Sequence, residues 1–265
     1  MKHSLLIVGA GIIGIVILLV GLPAFLRHWA AAPLTQPPGH GVSFVLEVEP
    51  AKTDSVTNDL AIFREALLKR SDRVGVRIYW EPISEVRVRV AVAARNSGEE
   101  ERLRRALFRQ GRLELRLVHE DSDRMIKAGE LLPGYEILKH EQGTPSGGRS
   151  PEQVVVKKKS EAGLSGNLIK EAMVTRGQLG EPEINFTMLP EAAAAFAKVT
   201  RDNTGRRLAI VIDGELYSAP RINEPIETGT GRISGQFDAQ DAFEIASALD
   251  FPLPVSVRVL ESKSY

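Results

Sequence analysis

The sequence contains no cysteine, so it has no disulfide framework, no thiolate metal site and no thiol nucleophile. It also lacks net charge, because its 34 basic residues balance 34 acidic ones. A protein dedicated to nucleic acid normally carries a basic excess, so we expect no nucleic-acid partner.

The motifs of common enzymes are also missing. His140-Glu141 has no second histidine four residues after the first, which a zinc-protease helix would require. There is no G-x-S-x-G elbow and no S-x-x-K pair. Residues 229–232 (GTGR) lack the lysine of a phosphate-binding loop and predict a tight turn. We therefore expect a protein that is not an enzyme and that has no catalytic residues, no cofactor and no metal.

One long apolar run stands near the N-terminus. Residues 5–26 contain no charged side chain, and a helix of this length rises about 33 Å, close to the thickness of the bilayer hydrocarbon. The pattern predicts an N-terminal tail and a single transmembrane helix within residues 1–29, with the N-terminus in the cytoplasm. A signal peptide cleaved near residues 30–32 (AAA) is the alternative.

After a linker rich in proline and glycine at 30–41, strands and helices are expected to alternate. Strands are predicted at 42–49, 86–92, 113–118, 154–156, 184–188, 208–212, 232–235 and 255–259. Helices are predicted at 54–70, 99–110, 165–172, 190–203 and 238–249.

Two local signals in this pattern are strong. Residues 208–212 (LAIVI) are apolar throughout, which is typical of a central strand covered on both faces. Asp213-Gly214 predicts a two-residue hairpin turn directly after that strand. Several other strands alternate apolar and polar residues, as antiparallel strands with one solvated face do. The predicted fold class is α+β.

A series of motifs begins at this hairpin: Arg206-Arg-Leu-Ala-Ile-Val-Ile-Asp-Gly214, Ser-Ala-Pro at 218–220, and Gly231-Arg-Ile-Ser-Gly-Gln-Phe237. The series resembles the SecD subunit of the bacterial Sec preprotein translocase (the SecD/SecDF family). The family pattern there is Lys/Arg-Leu-Ala-Ile-Val-Leu-Asp-Gly, Ser-Ala-Pro and Gly-x-Ile-x-Gly-x-Phe. Shorter matches lie earlier in the chain, at 68–76, 111–118 and 182–187, and they occur in the same order as in the family.

The resemblance covers most of residues 42–261, and two departures accompany it. Residues 37–41 (PPGHG) stand where the family has Gly-Leu-Asp-Leu-x-Gly-Gly, and Leu253-Pro-Val keeps only part of a Leu-Pro-x-Pro segment. The family also has five further membrane helices that carry ionisable residues for proton coupling. Because the sequence ends at Tyr265, we expect that this chain does not conduct protons itself.

The resemblance implies a ferredoxin-like, membrane-proximal base with an inserted α+β head, both following the transmembrane helix. The base would comprise residues 42–111 and 252–265, and the head would comprise residues 112–251. If the head moves relative to the base, Gly111 and the residues near Asp250 are where we expect the hinge.

The function implied by the resemblance is that of a single-pass accessory of protein export in the bacterial inner membrane. Its periplasmic domain would bind or guide preproteins during or after translocation. The expected partners are a preprotein, other subunits of the Sec translocase or of the membrane, and the lipid bilayer. The alternative is a structural or scaffolding module of a membrane or envelope complex that uses the same head fold.

A head that holds an extended polypeptide needs an open groove or a sheet edge. The hairpin and the segment after it are the candidate surface, together with one later aromatic residue. The candidate residues are Leu216, Tyr217, Ile222, Pro225, Ile226 and Phe237. The alternative, that they form ordinary core and turn, stays open at this point.

Overall fold

A computed structural model of the chain describes residues 33–49, 56–140, 153–178, 180–234 and 237–265. The predicted transmembrane helix lies outside the described residues. Within them, no helix is both long and apolar enough to cross a membrane. The described chain divides into two compact units: unit 1 contains the residues up to Glu101 together with Val257–Tyr265, and unit 2 is Arg102–Ser256.

Unit 1 is built on a four-stranded sheet. Its strands are β1 (Val42–Glu49), β2 (Ile78–Pro82), β3 (Arg87–Val92) and β13 (Ser256–Ser264), in the order β13-β1-β3-β2. Two helices belong to the same part of the chain: α1 (Val56–Val74), and α2 (Ser97–Phe108), which begins in unit 1 and ends in unit 2.

Alternate residues of β1 are buried, as its predicted period of two requires. Phe63 and Leu67 of α1 are also fully buried, and the ring of Phe63 lies 5.8 Å from that of Trp80 on β2. The last strand returns beside the first, because the amide and carbonyl groups of Gly41 and Tyr265 bond each other at 3.0 Å.

Within the described residues, unit 2 contains three sheets, in the orders β11-β10-β4-β7, β12-β9-β8 and β5-β6. Their strands are β4 (Leu113–Leu117), β5 (Tyr135–Lys139), β6 (Gln153–Lys157), β7 (Ser165–Gly166), β8 (Ile169–Arg176), β9 (Pro182–Met188), β10 (Leu208–Ile212), β11 (Glu215–Ser218) and β12 (Thr230–Ser234). The helices of unit 2 are α3 (Ser122–Ala128), α4 (Pro190–Asp202) and α5 (Ala239–Asp250).

Strand β10 is buried on both faces, which confirms the interpretation of its apolar sequence. Leu208, Ile210 and Ile212 join a large cluster with apolar residues of β8, β9, β12, α4 and α5. Ala209 and Val211 join a small cluster on the other face, with Val118 directly after β4, valines of β6, Leu216 of β11 and Ala219. We call these the large and the small cluster.

The predicted helix at 165–172 is wrong, because this segment forms β7 and the start of β8. Strand β8 pairs with β9, but its register shifts between Ile169 and Glu171. This bulge breaks the period of two, so that Ile169 and Ala172 are both buried in the large cluster. The resulting i, i+3 spacing imitates one face of a helix.

Candidate functional site

The turn predicted from Asp213-Gly214 is present and joins β10 to β11. Asp213 has φ 53° and Gly214 has φ 85°, the left-handed pair that a tight hairpin turn with matching twist requires. Strand β11 then forms one edge of the four-stranded sheet of unit 2, whose order is β11-β10-β4-β7. One side of its backbone is therefore not paired within that sheet.

Pairing continues beyond the end of β11. The amide of Leu208 donates to the carbonyl of Pro220 at 2.9 Å, and the amide of Ile222 donates to the carbonyl of Arg206 at 2.8 Å. Residues 215–222 thus run along the sheet as one extended stretch, which we call the edge segment. Strand β12 lies close to it but belongs to a different sheet.

The six candidate residues take different places in this structure. Leu216, Tyr217, Ile222 and Phe237 are core side chains, each less than a tenth exposed. Leu216 lies in the small cluster, the other three lie in the large cluster, and Ile226 packs against the large cluster. Pro225 is exposed. The sequence therefore located a sheet edge, but the apolar side chains of that edge stabilise the fold.

The carboxylate of Asp213 fixes the turn end of the edge segment. It accepts hydrogen bonds from the amides of Gly111, at 3.1 Å, and Arg112, at 2.7 Å. The amide of Asp213 in turn donates to the carbonyl of Arg112 at 3.0 Å. A role for Asp213 as a turn residue fits these contacts.

Arg109, Glu215 and Tyr217 form a polar cluster beside the turn. The Arg109 guanidinium donates to the Tyr217 hydroxyl and, at 3.1 Å, to the Glu215 carboxylate. The Tyr217 hydroxyl donates to Glu215 at 3.2 Å. These contacts tie the first residues of the edge segment to the chain that follows α2.

Burial and charge fix the ionisation of this cluster. Burial raises the pKa of Tyr217 to about 12, although Arg109 opposes the shift. Burial on its own would lower the pKa of Arg109, but Tyr217, Glu215 and Asp213 outweigh it, and the pKa of Arg109 lies above its ordinary value. At neutral pH the tyrosine is therefore neutral and the arginine charged, an arrangement that holds structure and does not exchange protons.

A side chain from the β5–β6 hairpin reaches the edge segment. The Nδ1 atom of His140, directly after β5, lies 2.8 Å from the carbonyl oxygen of Leu216. Because a carbonyl oxygen only accepts, the ring carries its hydrogen on Nδ1. Sequence reasoning considered His140 only as a metal ligand and missed this contact, which depends on the tertiary placement of β5.

Strand β8 forms an edge of the three-stranded sheet, and a helix and a carboxylate lie against it. Strand β8 packs against α5, and the amide of Ala172 donates to the Asp250 carboxylate at 3.2 Å. A side chain thus occupies a backbone group that another strand would need.

A shallow groove of about 400 Å³ lies on the three-stranded sheet. Its lining includes Met173, which is exposed, together with polar side chains of the same three strands. The lining residues are Glu171, Met173, Asn185, Phe186, Thr187, Thr230, Gly231 and Arg232. Across the part of the chain that the structure describes, no three acidic or histidine side chains are grouped as a metal site.

Comparisons with known proteins agree on one family. The family model for the SecDF P1 head subdomain matches residues 136–254. The protein translocase subunit SecD of Aquifex aeolicus is 34% identical over 221 residues, which are 82% of this chain and 40% of that protein. The SecDF subunit of Thermus thermophilus is 29% identical over 232 residues, 84% of this chain and 30% of that protein.

A further relative belongs to the same family of translocase subunits. The SecD subunit of Leptotrichia buccalis is 39% identical over 102 residues, 38% of this chain and 25% of that protein. The chain therefore spans between 25% and 40% of the length of these three relatives.

Two solved structures are similar to the chain. A structure of a membrane component SecDF that enhances protein export matches with a TM-score of 0.58 and 26% identity, over 83% of this chain and 98% of that one. A crystal structure of SecDF in a super-membrane-facing form matches with a TM-score of 0.63 and 25% identity, over 96% of this chain and 35% of that one.

Proposed function

We propose, from the premise that this chain carries a periplasmic P1 region of the SecD family, that it binds or guides preproteins as they cross the inner membrane. SecD and SecDF are accessory components of the translocase, and the family supports a role for this chain in protein translocation. They are inner-membrane proteins whose P1 region is periplasmic. We assign the chain no catalytic step.

The division of labour that we propose makes unit 1 the membrane-proximal base and unit 2 the head. In unit 1 the sheet order β13-β1-β3-β2, with helices after β1 and β3, is that of a βαββαβ ferredoxin-like unit. Unit 2 begins within the second helix of that unit and ends at the first residue of its last strand. The family model for the head matches residues within it.

The observation that carries the binding proposal is the edge segment, residues 215–222. An extended polypeptide can add to such an edge by backbone hydrogen bonds, in the manner of β-augmentation. Leu216 and Tyr217 are buried, so they hold the edge rigid. The recognition element that we propose is the backbone of this edge, apart from the carbonyl of Ala219, which accepts a hydrogen bond from Nε of Arg207 at 2.9 Å. Backbone recognition suits a protein that must accept preproteins of many sequences.

The second part of the proposal concerns where the membrane anchor holds the head. A transmembrane helix within residues 1–29, with its N-terminus in the cytoplasm, would hold the head at the periplasmic face, where a translocating chain emerges. The partners that we propose are the preprotein, other subunits of the Sec translocase and the lipid bilayer. Co-purification of the full chain with the translocon from mildly solubilised membranes tests the proposed contact with other Sec subunits. Purification without any translocon subunit would contradict it.

Photocrosslinking tests preprotein contact directly. A photoreactive residue is placed at Arg221 or at Pro225, both exposed and both on the candidate surface. The matched control places it at Arg176, which is exposed at the end of β8 on the far strand of the three-stranded sheet.

With an export-arrested secretory precursor, we expect adducts from Arg221 and Pro225 and few from Arg176. Equal labelling from all three positions would contradict a specific surface. Labelling only of unrelated envelope proteins would contradict preprotein binding and favour a scaffolding module.

A further inference from the structure

The ring of His140 stands where an added strand would pair. Its Nδ1 atom donates to the carbonyl oxygen of Leu216, in the middle of β11, at 2.8 Å. An incoming strand pairs by donating its own amides to the outward carbonyls of the edge strand. His140 therefore occupies an acceptor that a polypeptide on the edge segment would need.

The β5–β6 hairpin holds this ring in place through side chains of β5. Leu138 packs against the small cluster, to which Leu216 itself belongs. Glu136 forms an ion pair with Arg116 of β4, whose side chain is only 10% exposed. The ring of Tyr135 meets that of His119 edge-on, with centroids 5.0 Å apart.

The hairpin is nevertheless a separate two-stranded sheet. Among the described residues, its backbone pairs with the chain that follows β4 through a bridge between Val118 and Val156 and a hydrogen bond of 2.8 Å from His119 to Val155. Strand β6 is the anchored strand of the hairpin, because Val154, Val155 and Val156 are fully buried, whereas no residue of β5 is fully buried. Small shifts of β5 that withdraw the ring are therefore compatible with an intact four-stranded sheet.

We propose that His140 makes an autoinhibitory contact with the edge segment, which a client polypeptide displaces when it binds. This inference rests on the proposed function, because it assigns a regulator to the same edge. Loss of one hydrogen bond of ordinary strength changes an equilibrium by about three- to tenfold. The contact thus weakens binding enough to favour release without preventing capture.

Three variants of the full chain in detergent test the contact. His140→Ala removes it. His140→Asn keeps a donor at a similar position, because an amide nitrogen can take the place of Nδ1. His119→Ala is the control, because it removes the ring that packs on Tyr135 of β5 and keeps the hydrogen bond between His140 and Leu216. The probe is a fluorescent 12-residue peptide of alternating valine and threonine with lysine at both ends, and its Kd is measured by anisotropy.

We expect His140→Ala to bind the peptide about three- to tenfold more tightly than the parent chain, and His140→Asn to bind like the parent. Equal affinity in His140→Ala and the parent would overturn the autoinhibitory contact alone. An equal gain in His119→Ala would overturn it too, by assigning the effect to a loosened hairpin. Binding by none of the variants would overturn the proposed function as well.

Discussion

Gly111 is a position where backbone geometry dictates the residue. Its φ is 80°, in the left-handed region, and a Cβ there would overlap the carbonyl oxygen of Ala248 on α5. Its amide also donates to Asp213. From the sequence we expect any hinge between head and base at this glycine, but its contacts with Ala248 and Asp213 lie within unit 2. Close packing against α5 is therefore sufficient to explain the glycine.

Gly111→Ala should destabilise the protein more than Gly129→Ala. Both glycines have positive φ, but Gly129 ends α3 with open space around it. The conformational strain of alanine costs about 1–2 kcal/mol in either place, and the overlap with Ala248 adds at least as much again at Gly111. Urea unfolding of the full chain measures the difference, and equal losses would show that α5 moves aside freely.

Tyr217 links stability to pH. Its pKa in the folded chain is about 12, against about 10 in an unfolded chain. Between these values the unfolded chain has lost the proton and the folded chain keeps it, so stability falls as pH rises. The full effect of a two-unit shift is about 2.7 kcal/mol.

Tyr217→Phe should therefore lose less stability than the parent chain between pH 10 and pH 12. The phenylalanine ring keeps the packing in the large cluster, while Arg109 keeps its contact with Glu215. Parallel stability curves for Tyr217→Phe and the parent would show that the hydroxyl contributes nothing to the alkaline loss.

For individual helices and strands, the sequence pattern was enough to predict the element and its bounds where only one face of that element is buried. Strand β1 and helices α2, α4 and α5 have clear periods and end close to where they are predicted. Helix α3 was missed because only Ser122 and Met125 of its seven residues are buried, which gives no apolar stripe. The start of β8 was predicted as part of a helix because its bulge replaces the period of two with an i, i+3 spacing of buried residues.

Asp238 begins α5 as the sequence predicts. Its Oδ1 atom accepts from the amides of Gln240 and Asp241, both at 2.8 Å. Asp238→Ala should cost about 1 kcal/mol, because it leaves helix amides without a partner. Asp238→Asn should restore most of the loss.

Asp241→Ala is the matched control for this cap. Asp241 lies in the first turn of the same helix, so its carboxylate favours the helix only through the dipole, by about 0.3–1 kcal/mol. Thermal unfolding of the three variants compares the two effects. Equal losses for Asp238→Ala and Asp241→Ala would mean that charge, and not the capping hydrogen bonds, stabilises this end.

For the whole molecule, the sequence sufficed to predict the similarity to SecD proteins and the α+β class. It also located the hairpin whose second strand forms a sheet edge. It could not show that Leu216 and Tyr217 point into two different clusters, because neighbouring residues of a strand face opposite sides and only the strand order reveals what covers each side. Nor could it place His140, which is 76 residues from Leu216 in the chain.

The central claim is that an extended polypeptide pairs with residues 215–222, and amide hydrogen exchange tests it most directly. Exchange of the full chain is measured with and without an unfolded secretory precursor. Pairing should slow exchange in residues 215–222, while β8, whose edge is covered by α5 and Asp250, should not change. Binding of the precursor with unchanged exchange in 215–222, or with protection confined to other segments, would contradict the account.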